Sequence, residues 1–380
     1  MKVRMARAFR ISYIEGDGIG PEIFASARSV LETLGECFKI GFEFVPAPAG
    51  DRARRDFGEA MPKTSYSTIR ESDICLKAPV GETALETIIY LRQQLNLFAN
   101  VRPAKNYRFI DSKFRGVDLV IVRENTEDLY VSREFEEMEG RKAIALKVVT
   151  EEASKRIARV AFELALSREA GRTAEEKRTR EPSVVCVQKS NVLPKSDGLF
   201  LRSCDAVSKN FPSVKFSSMY VDTAAMNLVR NPDSFDVIVT SNMYGDILSD
   251  EASQVVGGLG LAPSGNLGDD FALFEPVHGS APDIAGKGIA NPLSILFTVK
   301  MMLDWLASKK RDANPAAASR CLESAISVVT GSGVKTHDIG GSSKTAQVTQ
   351  AICAEIRKQT GEFADDGNIG RVKEDVLLKW

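Results

Sequence analysis

Residues 9–24, FRISYIEGDGIGPEIF, put a glycine-rich turn between an apolar run and a helix-like pattern, the place where the phosphate-binding loop of a Rossmann sheet would lie. From Gly16 the spacing is G-x-G-x-G followed by Pro21 and Glu22, whereas the dinucleotide fingerprint is G-x-G-x-x-G. The turn by itself is compatible with a pyrophosphate cradle and with a structural bend, so the rest of the chain has to decide. FRISYI (9–14) reads as a buried strand. After it, Ile23, Ala27, Val30, Leu31 and Leu34 recur at helical spacing, with Pro21 suited to a first helical turn.

That strand-then-helix unit repeats along the chain. DICLKAPV (73–80) reads as a strand before a helix around 84–97, VDLVIVREN (117–125) as a strand, and AIALKVVT (143–150) as a strand before a long helix from Glu151. SVVCVQKS (183–190) and FDVIVTS (235–241) continue the pattern, each followed by a helix. Such alternation predicts an α/β fold, a parallel or mixed sheet covered by helices. The stretch 167–183 mixes both charges without an apolar face and reads as a helix end plus a surface loop. Three apolar helices follow, from Asn291, through 315–329 and through 344–359, and the residues from Gly361 read as a charged tail.

Composition narrows the chemistry. A chain of 380 residues suggests two domains of ordinary size. Fifty basic against fifty-one acidic residues argue against a nucleic-acid surface and leave small-molecule chemistry as the default. The six cysteines are scattered without a C-x-x-C, as expected of a reducing, cytoplasmic compartment. Only His278 and His337 are present, which disfavours a zinc site of the His/Cys kind. No apolar run approaches membrane-spanning length, and no leader pattern is apparent.

Several segments carry side chains suited to catalysis. In SNMYGDILSDEASQ (241–254), Asp246 and Asp250 lie four apart at a helix start and project from one face. Two hard oxygen ligands so placed suit Mg²⁺ or Mn²⁺, and equally suit the positive end of a helix dipole with no metal at all. Lys189 and Asn191 follow a strand in CVQKSNVLPKSDG (186–198), where open α/β sheets carry their active sites. Such a lysine can act as a general base or remain an ordinary surface cation. Arg92, Arg102 and Arg123 are the planar forks that a substrate with two carboxylates requires, and Tyr130 follows Arg123 closely. FEPVHGSAPDIAGKGIANP (274–292) is a glycine- and proline-rich loop able to follow a cofactor's contour or simply to connect two elements. TGSGVKTHD (330–338) lacks the glycine before its lysine and the leading strand that a P-loop needs.

Taken in order, GDGIGPE, LKAPVGE, LFANVRPAK, RENTEDLY, QKSNVL, YVDTAAMNLVRNP, NMYGDILSDEASQ and the 274–292 loop resemble the β-decarboxylating dehydrogenases, the family of isocitrate, 3-isopropylmalate and homoisocitrate dehydrogenases. The resemblance covers nearly the whole chain. It implies a non-Rossmann, two-domain α/β fold in which the opening glycine turn is structural. One domain, residues 1–103 plus 258–380, would hold the cofactor, and residues 104–257 would form the interface of a homodimer with shared active sites. By the same resemblance Asp246 and Asp250, with Asp222 of the partner subunit, would hold Mg²⁺ or Mn²⁺. Lys189, also from the partner, would be the base and Tyr130 the acid, while Arg92, Arg102 and Arg123 would clamp the malate carboxylates, with Asn191 completing the pocket. Cofactor contacts would come from Glu275, His278, Gly279, Ser280, Ala281, Asp283, Ile284 and Asn291.

The resemblance also frames two choices. Asp283 can accept both hydroxyls of an adenosine ribose and would repel a 2′-phosphate, and NADP-using relatives tend to carry a basic residue and then a tyrosine where this chain has Asp283 and Ile284, so NAD is expected. Isocitrate enzymes typically place Ser and Asn six and four residues before the first arginine, positions held here by Glu86 and Ile88. A carboxylate against Ile88 would lose water without gaining a donor. Homoisocitrate enzymes tend to offer an arginine at the place of Ile89. The pair Ile88 and Ile89 resembles the apolar residues of isopropylmalate dehydrogenases, so 3-isopropylmalate is the expected substrate and 4-methyl-2-oxopentanoate the product, as in leucine biosynthesis. Leu85 departs from that pattern, where a glutamate is usual, and Glu86 or Glu82 would have to substitute. Isocitrate or homoisocitrate is the alternative, and a non-catalytic α/β ligand-binding protein the alternative of another class.

Overall fold

The computed structural model describes residues 8–364. Its strands are β1 (Phe9–Ile14), β2 (Phe42–Pro46), β3 (Ile74–Lys77), β4 (Ala99–Lys105), β5 (Asp118–Glu124), β6 (Glu134–Glu137), β7 (Lys142–Ala145), β8 (Ser183–Gln188), β9 (Lys215–Tyr220), β10 (Val237–Thr240), β11 (Pro263–Leu267) and β12 (Ala272–Pro276). Its helices are α1 (Gly20–Phe38), α2 (Asp51–Phe57), α3 (Lys63–Arg70), α4 (Tyr90–Gln94), α5 (Glu151–Gly171), α6 (Ala174–Thr179), α7 (Ser196–Ser208), α8 (Val221–Arg230), α9 (Asn242–Val255), α10 (Leu293–Lys310), α11 (Ala313–Gly331) and α12 (Thr345–Ala364).

Ten strands form one mixed sheet in the order β2-β1-β3-β12-β11-β4-β5-β10-β8-β9, and β6 with β7 makes a separate antiparallel hairpin. The outer strands are parallel on both wings, whereas β12, β11, β4 and β5 run antiparallel through the middle. This is an α/β sheet but not a doubly wound parallel one. Its direction reverses at the centre, and the arginines of β4 and β5 lie there.

Period-two alternation divides the core. On β5, Val120 and Val122 pack into the large cluster beneath α5 and α10, and Leu119 and Ile121 face the opposite cluster beneath α8 and α9. On β8, Val184 and Cys186 take the first side and Val185 and Val187 the second. Strands β10, β11 and β12 are buried throughout; β10 (VIVT) accordingly reads as an apolar run rather than an alternating one, whereas β11 buries the polar Ser264 and Asn266.

The opening turn resolves as a bend. Gly16 has φ +68°, and a Cβ there would lie 2.0 Å from the Pro79 carbonyl oxygen; Gly18 has φ +58°, and its Cβ would lie 1.9 Å from that of Ser280. The Asp17 amide donates to Pro79 O and the Ile19 amide to Ser280 O, each at 2.8 Å. Two N–H groups of the turn are therefore bonded to neighbouring loops instead of pointing at a ligand.

Some elements differ from the sequence expectation. The helix expected around 84–97 is three pieces, a 3₁₀ turn at Glu82–Ala84, a π turn at Leu85–Ile89 and α4. The stretch 167–183 is not simply a loop: Thr173 and Glu176 form a reciprocal capping box that starts α6. The strand expected at 143–150 stops at Ala145 and pairs with β6 outside the main sheet. α10 begins at Leu293, because the Asn291 side chain accepts the Leu293 amide at 2.9 Å. α12 runs on to Ala364 past Gly361, and the rest of the expected tail lies outside the described residues. The cysteines are free, and no helix among the described residues is long and apolar enough to cross a membrane.

Candidate active site

The central antiparallel strands bring the arginines together. Asn100 of β4 stands opposite Arg123 of β5, and Arg102, two residues on, shares the Asn100 face. Arg123 crosses the start of α9, where Gly245 makes room: a Cβ there would lie 2.6 Å from Arg123 Cγ. The Arg123 Nε donates to Asn242 Oδ1 at 2.9 Å, and its Nη1 pairs with Asp246. Arg102 Nη1 lies 3.1 Å from Asp246 and 3.5 Å from Asp250, and also donates to Ser249 Oγ at 2.7 Å. The Tyr130 hydroxyl donates to the other oxygen of Asp246, and Arg123 lies 4.9 Å from the centre of the Tyr130 ring.

Arg92 reaches the same place from α4. Its Nε donates to Asn266 Oδ1 at 3.0 Å and its Nη2 to Glu275 at 3.2 Å. Asn266 bonds on to Asn100 and Glu275, and Asn100 Oδ1 accepts from Arg102 Nε at 2.6 Å. A buried polar network thus runs from Lys77 through Glu275, Asn266 and Asn100 to Arg102 and fixes the guanidiniums of Arg92 and Arg102.

Charge is concentrated here. Burial, then the neighbouring Arg102 and Arg92, pull the Arg123 guanidinium down to about 9, and burial lowers Arg92 as well. Arg123 Nη2 is buried and has no hydrogen-bond partner. Crowded guanidiniums with an unused donor are completed by an anion. Burial opposes ionisation of Asp246, but Arg123 and Arg102 overcome it and lower its pKa; at Asp250 burial, with Asp246 adding to it, outweighs Arg102 and raises the pKa.

These side chains open on a cleft of about 350 Å³. Arg92, Arg102, Arg123, Tyr130 and Asp246 line it together with Ile88, Ile89, Ala84 and Val80, and Glu275 to Gly279 form another side. One cleft therefore offers cations and an apolar surface, the two chemistries of a branched dicarboxylic acid. Leu85 is 55% exposed, and Glu86 is turned to Arg54 of α2; neither they nor Glu82 line the cleft.

The loop expected to meet a cofactor is held from below. Glu22 of the opening motif accepts the amides of Gly288 and Ala290 at 3.3 and 3.1 Å and the hydroxyl of Thr345. His278 Nδ1 lies 3.0 Å from the Gly279 carbonyl oxygen, which can only accept, so the proton sits on Nδ1; burial lowers its pKa. Ala281 and Ile284 pack against the main core, while Gly279 and Asp283 are exposed and Ser280 is half-buried. Asn291 is engaged twice, as acceptor of the Leu293 amide at the start of α10 and as a donor to Asp338 at 2.8 Å. The Glu275 carboxylate is buried and bonded to Lys77, Arg92 and Asn266.

Lys189 and Asp222 form a second group. Lys189 Nζ donates to Asp222 Oδ1 at 2.6 Å, Asn191 is exposed beside them, and none of the three lines the cleft. Among the described residues of one chain, no three acidic, histidine or cysteine side chains converge as a metal set. Sequence reasoning missed Lys77, Asn100, Asn242, Ser249 and Asn266. The signal for Lys77 was available: a lysine ending the fully buried strand ICLK requires a buried acid.

The description "Isocitrate/isopropylmalate dehydrogenase" belongs to the family model that matches residues 10–353. A 3-isopropylmalate dehydrogenase of Saccharolobus solfataricus is 48% identical over 345 residues, 90% of this chain and 98% of that one. An isocitrate/homoisocitrate dehydrogenase of Thermus thermophilus is 44% identical, covering 92% of this chain and 99% of its own. Among solved structures, isocitrate dehydrogenase from Methylococcus capsulatus superposes with a TM-score of 0.82 at 39% identity, over 92% of this chain and 99% of that one.

Proposed function

The chain belongs to the isocitrate/isopropylmalate dehydrogenase family and is an oxidoreductase of that decarboxylating kind; from this premise we propose that it oxidises 3-isopropylmalate with NAD and decarboxylates the product to 4-methyl-2-oxopentanoate. The observation that carries the substrate is the pairing, in one cleft, of three guanidiniums with Ile88 and Ile89, while Glu86 is drawn off to Arg54. The cations suit the two malate carboxylates, and the isoleucines suit an isopropyl branch and no third carboxylate.

The donor set fits a hard divalent cation. Asp246 is kept ionised by Arg123 and Arg102, and Asp250 stands one turn away on the same face of α9. Asp222 of the partner subunit would supply the third carboxylate of a Mg²⁺ or Mn²⁺ site. When bound, the ion supplies Lewis-acid chemistry to the hydroxyl and keto oxygens, and NAD supplies the hydride acceptor. The chain's own groups do the rest. Arg92, Arg102 and Arg123 orient the carboxylates, and the unused Nη2 of Arg123 completes that clamp. Lys189 of the partner subunit takes the hydroxyl proton, with Asn191 beside it. Burial keeps Tyr130 protonated above its ordinary range, so it can deliver the proton that follows carbon dioxide loss. Asp283 is exposed on the 277–292 loop and suits ribose hydroxyls over a 2′-phosphate, which favours NAD.

A shared site requires a dimer, and the surface supports one. Met226, Val229 and Ile247 on α8 and α9 are 63%, 50% and 60% exposed, with Tyr220 and Val192 nearby in sequence to the catalytic pair. The hairpin β6–β7 exposes Phe135 and Met138. In this reading residues 104–257 make the interface, and residues 1–103 with 258–380 hold the cofactor. The test is a parallel assay of 3-isopropylmalate, isocitrate and homoisocitrate with NAD and Mg²⁺. Higher kcat/KM for isocitrate would overturn the substrate assignment.

A further inference from the structure

The segment carrying Ile88, Ile89 and Arg92 hangs from two carboxylates outside the cleft. Asp51, the first residue of α2, accepts the Glu82 amide at 3.1 Å through one oxygen and the Thr83 amide at 3.0 Å through the other. Asp17, in the opening glycine turn, accepts the amides of Asp51 at 2.9 Å, Arg52 at 2.9 Å and Gly81 at 3.0 Å. Five backbone N–H groups thus converge on two side chains. The glycines at the contacts are needed for this docking: a Cβ on Gly50 would lie 2.4 Å from Asp17 Oδ2, and one on Gly81 would lie 1.9 Å from Asp51 Oδ2.

The far end of the segment is anchored independently, by Arg92 on Asn266 and Glu275. Between the two anchors lies the π turn Leu85–Ile89, which accommodates one residue more than an α-helix would over the same span. Which side chains of the turn face the cleft therefore depends on where the segment is forced to begin. Rewinding to α geometry would rotate the residues before Arg92 by about 100° per residue of slip. Residue positions in the cleft are thus set from α2, on the side away from the substrate.

We infer that Asp51, itself held by Asp17, is a positioning residue for substrate selectivity: by docking the Glu82 and Thr83 amides it fixes the register that presents Ile88 and Ile89 to the group on the substrate's third carbon. Arg92 and the carboxylate clamp keep their own anchor. The inference rests on the proposed 3-substituted malate chemistry, and it predicts a division of effects. Loss of the dock impairs recognition of the branch and spares recognition of the malate part.

The experiment compares kcat/KM for 3-isopropylmalate and for unbranched D-malate in the wild-type holoenzyme, Asp51→Ala, Asp51→Asn and Gly81→Ala, with thermal melting of each. In Asp51→Ala the isopropylmalate-to-malate ratio falls by about tenfold, while kcat on malate stays within about twofold. Asp51→Asn keeps one acceptor oxygen and recovers part of the ratio. Gly81→Ala pushes the Asp51 carboxylate aside without removing it, so it reproduces the loss even where Asp51→Ala fails to fold. An unchanged ratio with a lowered melting temperature overturns the inference, as does an equal fall on both substrates. Wild-type enzyme that prefers isocitrate sinks the substrate assignment separately, and the ratio of isocitrate to malate then reads the same dock.

Discussion

The Lys77 ammonium lies 2.7 Å from the Glu275 carboxylate, with 4% and 8% of the two side chains exposed. Burial pushes the Glu275 carboxyl up, but Lys77 and Arg92 overcome that and hold it at about 2. An unfolded glutamate titrates near 4.3. The folded pKa is depressed, so the pair's contribution is complete above about pH 4.3 and is lost as pH falls from there toward 2. Lys77→Met leaves a buried carboxylate short of one cation and should destabilise the protein by about 3–5 kcal/mol at pH 7. Urea denaturation measures this, and a second series across the acid range should show a smaller loss of stability below about pH 4.3 in the variant, because its Glu275 carboxyl is no longer held so far below the unfolded value. An unchanged midpoint would mean that Arg92 and Asn266 alone satisfy the group.

Tyr130 is the expected proton donor to the carbon that loses carbon dioxide, and its hydroxyl donates to Asp246. Replacing it with Phe removes the proton and leaves the ring against Arg123. The expected outcome is a fall in kcat of about 10²–10⁴-fold with KM changed only a few-fold. Steady-state kinetics decide the matter: a loss confined to KM would make Tyr130 a binding residue.

Ile88 is 7% exposed and lines the cleft, so truncation to Ala removes apolar contact with a branched substrate. That is worth about 1–3 kcal/mol, or about 5- to 150-fold in kcat/KM for 3-isopropylmalate. D-malate, which has no branch, should be unaffected. The change Ile88→Asn should raise kcat/KM for isocitrate, because it supplies a donor where a carboxylate now meets methyl groups. Equal losses on malate and isopropylmalate after Ile88→Ala would remove Ile88 from the specificity argument.

The parts legible in sequence were those whose signal is local. Buried strands such as VDLVIVREN and the apolar helix from Leu293 announce themselves by pattern, and the order of motifs carried the family. The opening glycine turn was ambiguous because its role depends on Pro79 and Ser280, loops distant in sequence whose carbonyls take its amides. For the same reason the support beneath the arginines was invisible. Asn100 and Asn266 are neutral amides on buried strands, 166 residues apart, and nothing local marks them as a pair. The π turn at Leu85–Ile89 was read as plain helix, since its composition does not mark it and it lies between two anchors distant in sequence, Asp51 and Glu275.

The division of the catalytic groups can be tested without a structure of the dimer. Within one chain Lys189 is bonded to Asp222, whereas Tyr130 and Asp246 lie with the arginines. If each site combines Lys189 of one subunit with Asp246 of the other, Lys189→Met and Asp246→Asn homodimers are both inactive. A mixed dimer of the two then contains one site with both defects and one with neither. Unfolding and refolding the two proteins together at equal concentration should restore about a quarter of wild-type activity, since half of randomly assorted dimers are mixed and each has one intact site. Refolding either protein alone is the control. Absence of recovery, with mixed dimers demonstrated by mass spectrometry, would place a complete site within one chain and would require Lys189 to move toward Asp246 for catalysis.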